Sequence, residues 1–353
     1  MRLEKRTQTS PLALLLAPVG AIVFTLLVSA LLVLWAGAPV SQTYGLLLHG
    51  GFGSVFAFSE TLTRAIPRML TGLAATVAFK ARLFNIGAEG QLYVGALAAV
   101  AVGGLRDGTG FALHPMLLFG LMMLAAALAG ALLLLGPALM KAKLGVDEVV
   151  TTLLLNFIVL LLVSLMLDGP MKDPAAMGWP QSVALMGELE LSKLIPQTRV
   201  HTGLLWAGFL AVGLWALMKY TVLGFDIRAV GANARAAAFA GVPVTRTVVL
   251  VAMMSGALAG LAGAIEVAGR TSYLTLDMSP GYGYSGIVIA MLAALHPLGV
   301  VLASVFVAGV LVGADSMSRA VGVPTFIADV IVATSLISVL VATLLAQYRV
   351  KRK

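Results

Sequence analysis

The chain has 353 residues, 60% hydrophobic and only 11% charged, where a soluble domain carries roughly 25% charge. The net charge of +8 would point to nucleic acid in a soluble protein. Here, with repeated apolar runs long enough to cross a bilayer, it reads as cytoplasmic loop charge on a polytopic all-α membrane protein, so the partner is lipid and not nucleic acid. The absence of cysteine excludes disulfides, thiol chemistry and cysteine-ligated metal.

Arg2, Lys5 and Arg6 precede an apolar run over residues 12–38. Ala36-Gly37-Ala38 imitates a signal-peptide cleavage site, but 27 residues exceed the usual signal core, so the run reads as an uncleaved first span. Residues 50–60 read as an outer loop. Residues 62–79 form a weak span carrying Arg64, Pro67 and Arg68, and residues 86–105 span again despite Asn85, Glu89 and Gln91 at their start. Arg106 and Asp107 mark the next loop. Residues 115–140 and 149–167 are clear spans, the second preceded by Asp147 and Glu148, which suit the positive end of a helix dipole. Residues 168–201, with four prolines and Trp179, read as an ordered extracytoplasmic loop with little regular structure. Residues 203–218 cross back.

The stretch 219–246 holds Lys219, Arg228, Arg235 and Arg246 between apolar runs. Asn233 is a candidate N-cap, residues 234–240 are alanine-rich, Gly241 stands where a helix ends and Pro243 follows. A short helix in an aqueous loop results, lying on lipid headgroups or presented to a cytoplasmic partner. Residues 247–267 span, residues 269–280 are polar, and spans over 281–295, 298–313 and 324–346 lead to a basic tail. This gives ten spans in one membrane domain covering 1–353, or eight if the weak and short segments are re-entrant. Fifteen of the 23 Lys and Arg then fall on the side of the termini and eight on the other, which places both termini in the cytoplasm.

Interrupted segments with polar residues occur twice, at residues 84–91 and 277–286. In a transporter such pairs mark a pathway; Gly87, Gly90, Gly281 and Gly286 equally suit close helix packing. Glu89 and Glu266 face either a cavity or an ion-pair partner. Gly256xxxGly260 and Gly309xxxGly313 are candidate packing faces. Residues 281–286 match GxGxxG without the strand a dinucleotide site requires. The four histidines (His49, His114, His201 and His296) lack metal spacing, and no catalytic set is readable, so a transport role is expected and not an enzyme.

Four blocks, over residues 70–99, 145–162, 223–242 and 281–299, resemble in order the permeases of ABC importers for branched-chain amino acids, simple sugars and nucleosides. FNIGAEGQ with DEVVTTLLLN is most similar to the nucleoside branch. Two positions depart from its pattern: Arg82, where glycine is expected, and His296, where asparagine is more usual. The resemblance implies a type II-like importer fold in a bacterial cytoplasmic (inner) membrane. It implies a second, homologous permease, an ABC ATPase that binds ATP and Mg, neither of which this chain binds, and an extracytoplasmic substrate-binding protein. Residues 231–241 would be the coupling helix, with Gly231, Asn233, Arg235, Ala237, Phe239 and Gly241 meeting the ATPase. Nucleosides are polar, aromatic-faced and uncharged, so Asn85, Gln91, Asn156, Tyr282 and Tyr284, with Glu89, are the candidate pathway lining. A simple-sugar or amino acid cargo is the alternative within the group, and an ion-coupled secondary transporter is the alternative outside it.

Overall fold

The computed structural model describes residues 2–5, 11–104, 114–322 and 324–351. Arg6, Arg106, Asp107, Arg352 and Lys353, placed above in loops and termini, lie outside the described residues. The fold is helical, apart from a short antiparallel ribbon of β1 (Arg2–Lys5) and β2 (Tyr348–Lys351) that puts the two ends of the chain together.

Each of the ten predicted segments is a helix: α1 (Pro11–Trp35), α3 (Val55–Lys80), α4 (Ala88–Gly103), α5 (Pro115–Leu144), α6 (Glu148–Asp168), α7 (Gly203–Tyr220), α10 (Val244–Glu266), α11 (Tyr282–Leu292), α12 (Pro297–Val321) and α13 (Phe326–Gln347). Five of the described helices are long and apolar enough to cross a membrane, and α1 with α2 (Val40–Phe52), bent by 114°, form a sixth candidate. α4 and α11 are apolar but short.

Three expectations are corrected. Residues 50–60 are not a loop: α2 runs to Phe52 and α3 starts at Val55, with the Ser54 hydroxyl accepting from the Ala57 N–H at 3.0 Å as a cap. Arg64 and Arg68 therefore lie inside α3, and Arg68 is 3% exposed. The span over 298–313 continues to Val321, because nothing breaks the helix before Gly322, whose φ is +68°. The stretch before Asn233 is itself helical: α8 (Val222–Ala232) is capped by the Thr221 hydroxyl and buries Gly224, Ile227 and Val230 at helical spacing.

The chain divides into two compact units, Leu62–Val305 and Met1–Thr61 with Phe306–Lys353. In the larger, α10 packs on α5 and α4 through backbone. A Cβ at Gly256 would meet the Gly130 carbonyl, and one at Gly260 the Ala126 carbonyl, as the small-xxx-small reading expects. Residues 168–201 hold one short 3₁₀ turn (Gly187–Leu189) and are pinned to the end of α10 and the stretch after it. The Ser182, Leu185 and Leu191 N–H groups donate to the Leu274, Ser272 and Ala268 carbonyls at 3.0, 2.7 and 2.8 Å. In the smaller unit, Gly309 and Gly313 of α12 admit Phe52 and the Leu47 carbonyl of α2.

Candidate functional site

α3 ends because Arg82 turns left-handed (φ +55°). Its N–H donates to the Phe79 carbonyl and that of Leu83 to Ala78, both at 3.0 Å, the double bond of a Schellman stop. Arginine occupies a position at which glycine would be unstrained. The chain then runs unwound to α4. Backbone groups left open by such a break must be satisfied inside the protein.

Polar side chains do this. Thr152 Oγ1 accepts from the Ile86 N–H (3.2 Å), and Glu148 Oε1 from the Phe84 N–H (3.0 Å) while pairing with Lys141. Asn156 takes the Gly90 N–H at 2.8 Å and gives its own N–H to the Ile86 carbonyl at 3.0 Å. Asn85 and Gln91 exchange amide bonds at 2.9 Å each way, and Asn85 also donates to Ser255 at 3.0 Å. Ser255 in turn donates to the Ala74 carbonyl at 2.8 Å, which fixes α10 against α3.

The second break follows α10, whose end passes through a π-turn (Val267–Thr271). The start of α11 is held from three sides. Ser279 caps the Tyr282 N–H at 2.9 Å, Glu89 Oε2 accepts the Gly283 N–H at 2.6 Å, and Thr71 donates to the Tyr282 carbonyl at 2.8 Å. Glu89 stands in the first turn of α4, so the N-termini of the two short helices share one carboxylate. Both dipoles present partial positive charge there, and a carboxylate answers it.

Behind α11 is an ionic cluster. Glu266 Oε1 accepts from Arg270 at 2.6 Å and from the Tyr282 hydroxyl at 3.1 Å; Arg270 also reaches that hydroxyl at 2.9 Å. The Arg68 guanidinium lies 4.7 Å from the centre of the Tyr282 ring. Glu266 thus takes the ion-pair reading. Glu266 Oε2 and Arg68 Nε are buried without a hydrogen-bond partner. The sequence signal that could have found Arg68 is its position inside a weak span, where a cation needs a partner.

The six predicted lining residues come together in linked sets. Asn85, Gln91 and Asn156 hold the first break, Glu89 and Tyr282 the second, and Tyr284 joins them by accepting from the Asn156 amide at 3.1 Å. The first five are at most 4% exposed, whereas Tyr284 is 39% exposed. Of the glycines there, Gly90 packs against Asn156 and Gly286 against Thr71, while Gly281 takes a left-handed φ of +80° before α11.

At the surface, Asn233 caps α9 (Ala234–Phe239), its side-chain oxygen accepting from the Arg235 and Ala236 N–H groups at 3.0 and 3.1 Å. Gly241 ends it with φ +86°. Ala237 is buried, while Asn233, Arg235 and Gly241 are exposed and Phe239 is 97% exposed. A bare aromatic side chain on a short, doubly capped helix is a protruding feature, and its exposure costs apolar surface to water.

Residues 57–340 match the family described as the permease component of branched-chain amino acid transport systems. The guanosine ABC transporter permease protein NupP of Bacillus subtilis (strain 168) is 36% identical, over 90% of this chain and 91% of its own. The glucose ABC transporter permease protein TsgB13 of Haloferax volcanii is 35% identical over 94% of this chain and 89% of its own. The nucleoside ABC transporter permease protein NupB of Lactococcus lactis subsp. cremoris is 30% identical over 90% and 88%. No solved structure matches the chain.

Proposed function

The chain belongs to the permease family of branched-chain amino acid transport systems, and we propose that it is the membrane-spanning subunit of an importer that takes up nucleosides. Transport is coupled to ATP hydrolysis, with Mg, on a separate ATPase subunit. A second permease, a different but homologous chain, completes the membrane part, and an extracytoplasmic binding protein delivers the cargo. The ten helices cross a bacterial cytoplasmic membrane in a type II-like arrangement with both termini inside.

The observation that carries this reading is an exposed, capped α9 together with an amide-rich break between α3 and α4 in the same chain. α9 offers Asn233, Arg235 and Phe239 to the ATPase as a coupling helix. The amides of Asn85, Gln91 and Asn156 are spent on holding the break, so the side chain left to meet a neutral, hydrogen-bonding, flat solute is Tyr284, which is 39% exposed and anchored by Asn156. Guanosine in the name of one relative supports the nucleoside class. A sugar cargo is the second reading, favoured by the glucose permease at nearly the same identity.

Uptake by the complete transporter with its binding protein tests the proposal. Labelled guanosine and adenosine should accumulate in an ATP-dependent way. Glucose or ribose uptake without nucleoside uptake would overturn the cargo, and uptake that survives deletion of residues 234–241 would overturn ATPase coupling.

A further inference from the structure

α8 touches the α3–α4 turn at one backbone contact. A Cβ placed on Gly231 would fall far inside van der Waals distance of the Lys80 carbonyl, and 3.5 Å from the Ala81 Cα. Only glycine permits this approach. Beside the contact, a cleft of about 340 Å³ lies among Ala81, Arg82 and Lys141 on one side and Val230, Ala234 and Val248 on the other, so side-chain packing between the two is incomplete and the backbone contact dominates.

The turn on the far side of that contact is rigidly held. Lys141 donates to the Arg82 carbonyl at 2.6 Å and pairs with Glu148, which takes the Phe84 N–H at 3.0 Å. From there Asn85, Asn156 and Glu89, linked through the backbone of residues 84–91, lead to Gly283 at the start of α11. Among the described residues, Asn233 and Phe239 of α9 make no hydrogen bond to these groups, and α9 meets the cleft only through Ala234. We infer that Gly231 is the positioning residue that passes displacement of the 219–246 segment to the interrupted helices. Docking and transmission then use different residues: the exposed face of α9 docks, and Gly231 transmits. The inference rests on the coupling reading above. Physical continuity through packed elements with discrete arrangements is the route by which such displacement travels.

The test uses the complete transporter. In Gly231→Ala the uptake per ATP hydrolysed, measured on the same complex, should fall about tenfold, a loss of roughly 1.4 kcal/mol of coupling. A ratio at the wild-type level would overturn the inference. Because the chain has no cysteine, a second arm works even if that variant fails to insert. Arg82→Cys with Val230→Cys is bridged across the cleft by a short bifunctional maleimide. If α8 and the turn move as one, bridging leaves uptake intact; loss of uptake on bridging would show that they move apart and would sink the idea. Phe239→Asp separates the two readings. Unchanged ATPase binding there removes the docking role of α9 and leaves the Gly231 result to be judged by itself.

Discussion

Glu89 accepts the Gly283 N–H at 2.6 Å across 194 residues of sequence. One carboxylate, itself in the first turn of α4, closes the first turn of α11. A break in a membrane helix survives only if its backbone is paired by protein, and here the helix that follows the first break supplies part of the second's pairing. The two interruptions are therefore one structural unit.

Replacing Glu89 by leucine removes a charge-assisted acceptor and strands the buried Gly283 N–H, at a cost of about 2 kcal/mol. Glu89→Leu should lower the thermal midpoint of the detergent-solubilised complex and reduce uptake per inserted molecule. Glu89→Gln, which keeps an acceptor oxygen, should recover most of the stability. Equal stability of the leucine variant and wild type would refute the role given to this bond.

The caps on α9 make it a rigid element, so its loss should uncouple and not merely weaken. Ala237→Pro removes the Ala237 N–H bond to the Asn233 carbonyl (2.9 Å), costing about 3 kcal/mol in a helix interior; Asn233→Ala should cost about 1 kcal/mol. Charge reversal at Arg235 should act at the docking face instead. Each variant is expected to insert normally and to lose uptake relative to ATP hydrolysis. Parallel measurement of the two rates decides it, since wild-type ratios in all three would remove the assignment.

Arg82 holds a left-handed conformation with its side chain exposed. For an L-residue this costs roughly 1–2 kcal/mol. Arg82→Gly should raise thermal stability by up to about 1 kcal/mol, glycine's extra freedom in the unfolded chain taking back the rest. Arg82→Val, with a branched Cβ, should lower it. A melting temperature unchanged in both variants would contradict the strain.

His201, in the loop before α7, is fully buried beside Gly203 and Gly269. Nδ1 accepts the Gly203 N–H at 3.2 Å and Nε2 has no partner. Burial lowers its pKa to about 4 from an ordinary value near 6.5. Between those values the unfolded chain binds the proton and the folded one does not, so stability falls as pH drops from about 6.5 to about 4. The loss is on the order of 3 kcal/mol at the lower end. Thermal unfolding of wild type should show this decline, and His201→Gln should flatten it. An identical decline in both would assign it to other groups.

Much of the site was readable in the chain itself. The α9 cap follows from Asn233 and Gly241, whose local chemistry needs no distant partner. The two polar interruptions stood out because Asn85, Glu89 and Gln91 are costly among apolar residues. What local chemistry could not supply was the partner of each group. Asn156 looked like pathway lining, yet its amide pairs with backbone across the break. α8 was missed because Asp226, Arg228 and Gly224 read as loop, although Ile227 and Val230 already mark a buried stripe. Arg64 and Arg68 stood out as cations in a weak span, but the Tyr282 ring that Arg68 meets lies on a distant segment and leaves no local signal.

The sequence by itself determined a helical membrane protein with ten apolar segments, because hydrophobic length and periodicity act locally and one segment at a time. It also determined the ends of α9, because capping groups sit within three residues of what they cap. Only the tertiary structure decided that Glu89 serves α11, that Arg68 lies against Tyr282, and that Gly231 bears on Lys80. Those relationships join residues 151 to 214 positions apart, and their energy comes from satisfying buried polar groups at a distance that no local pattern encodes.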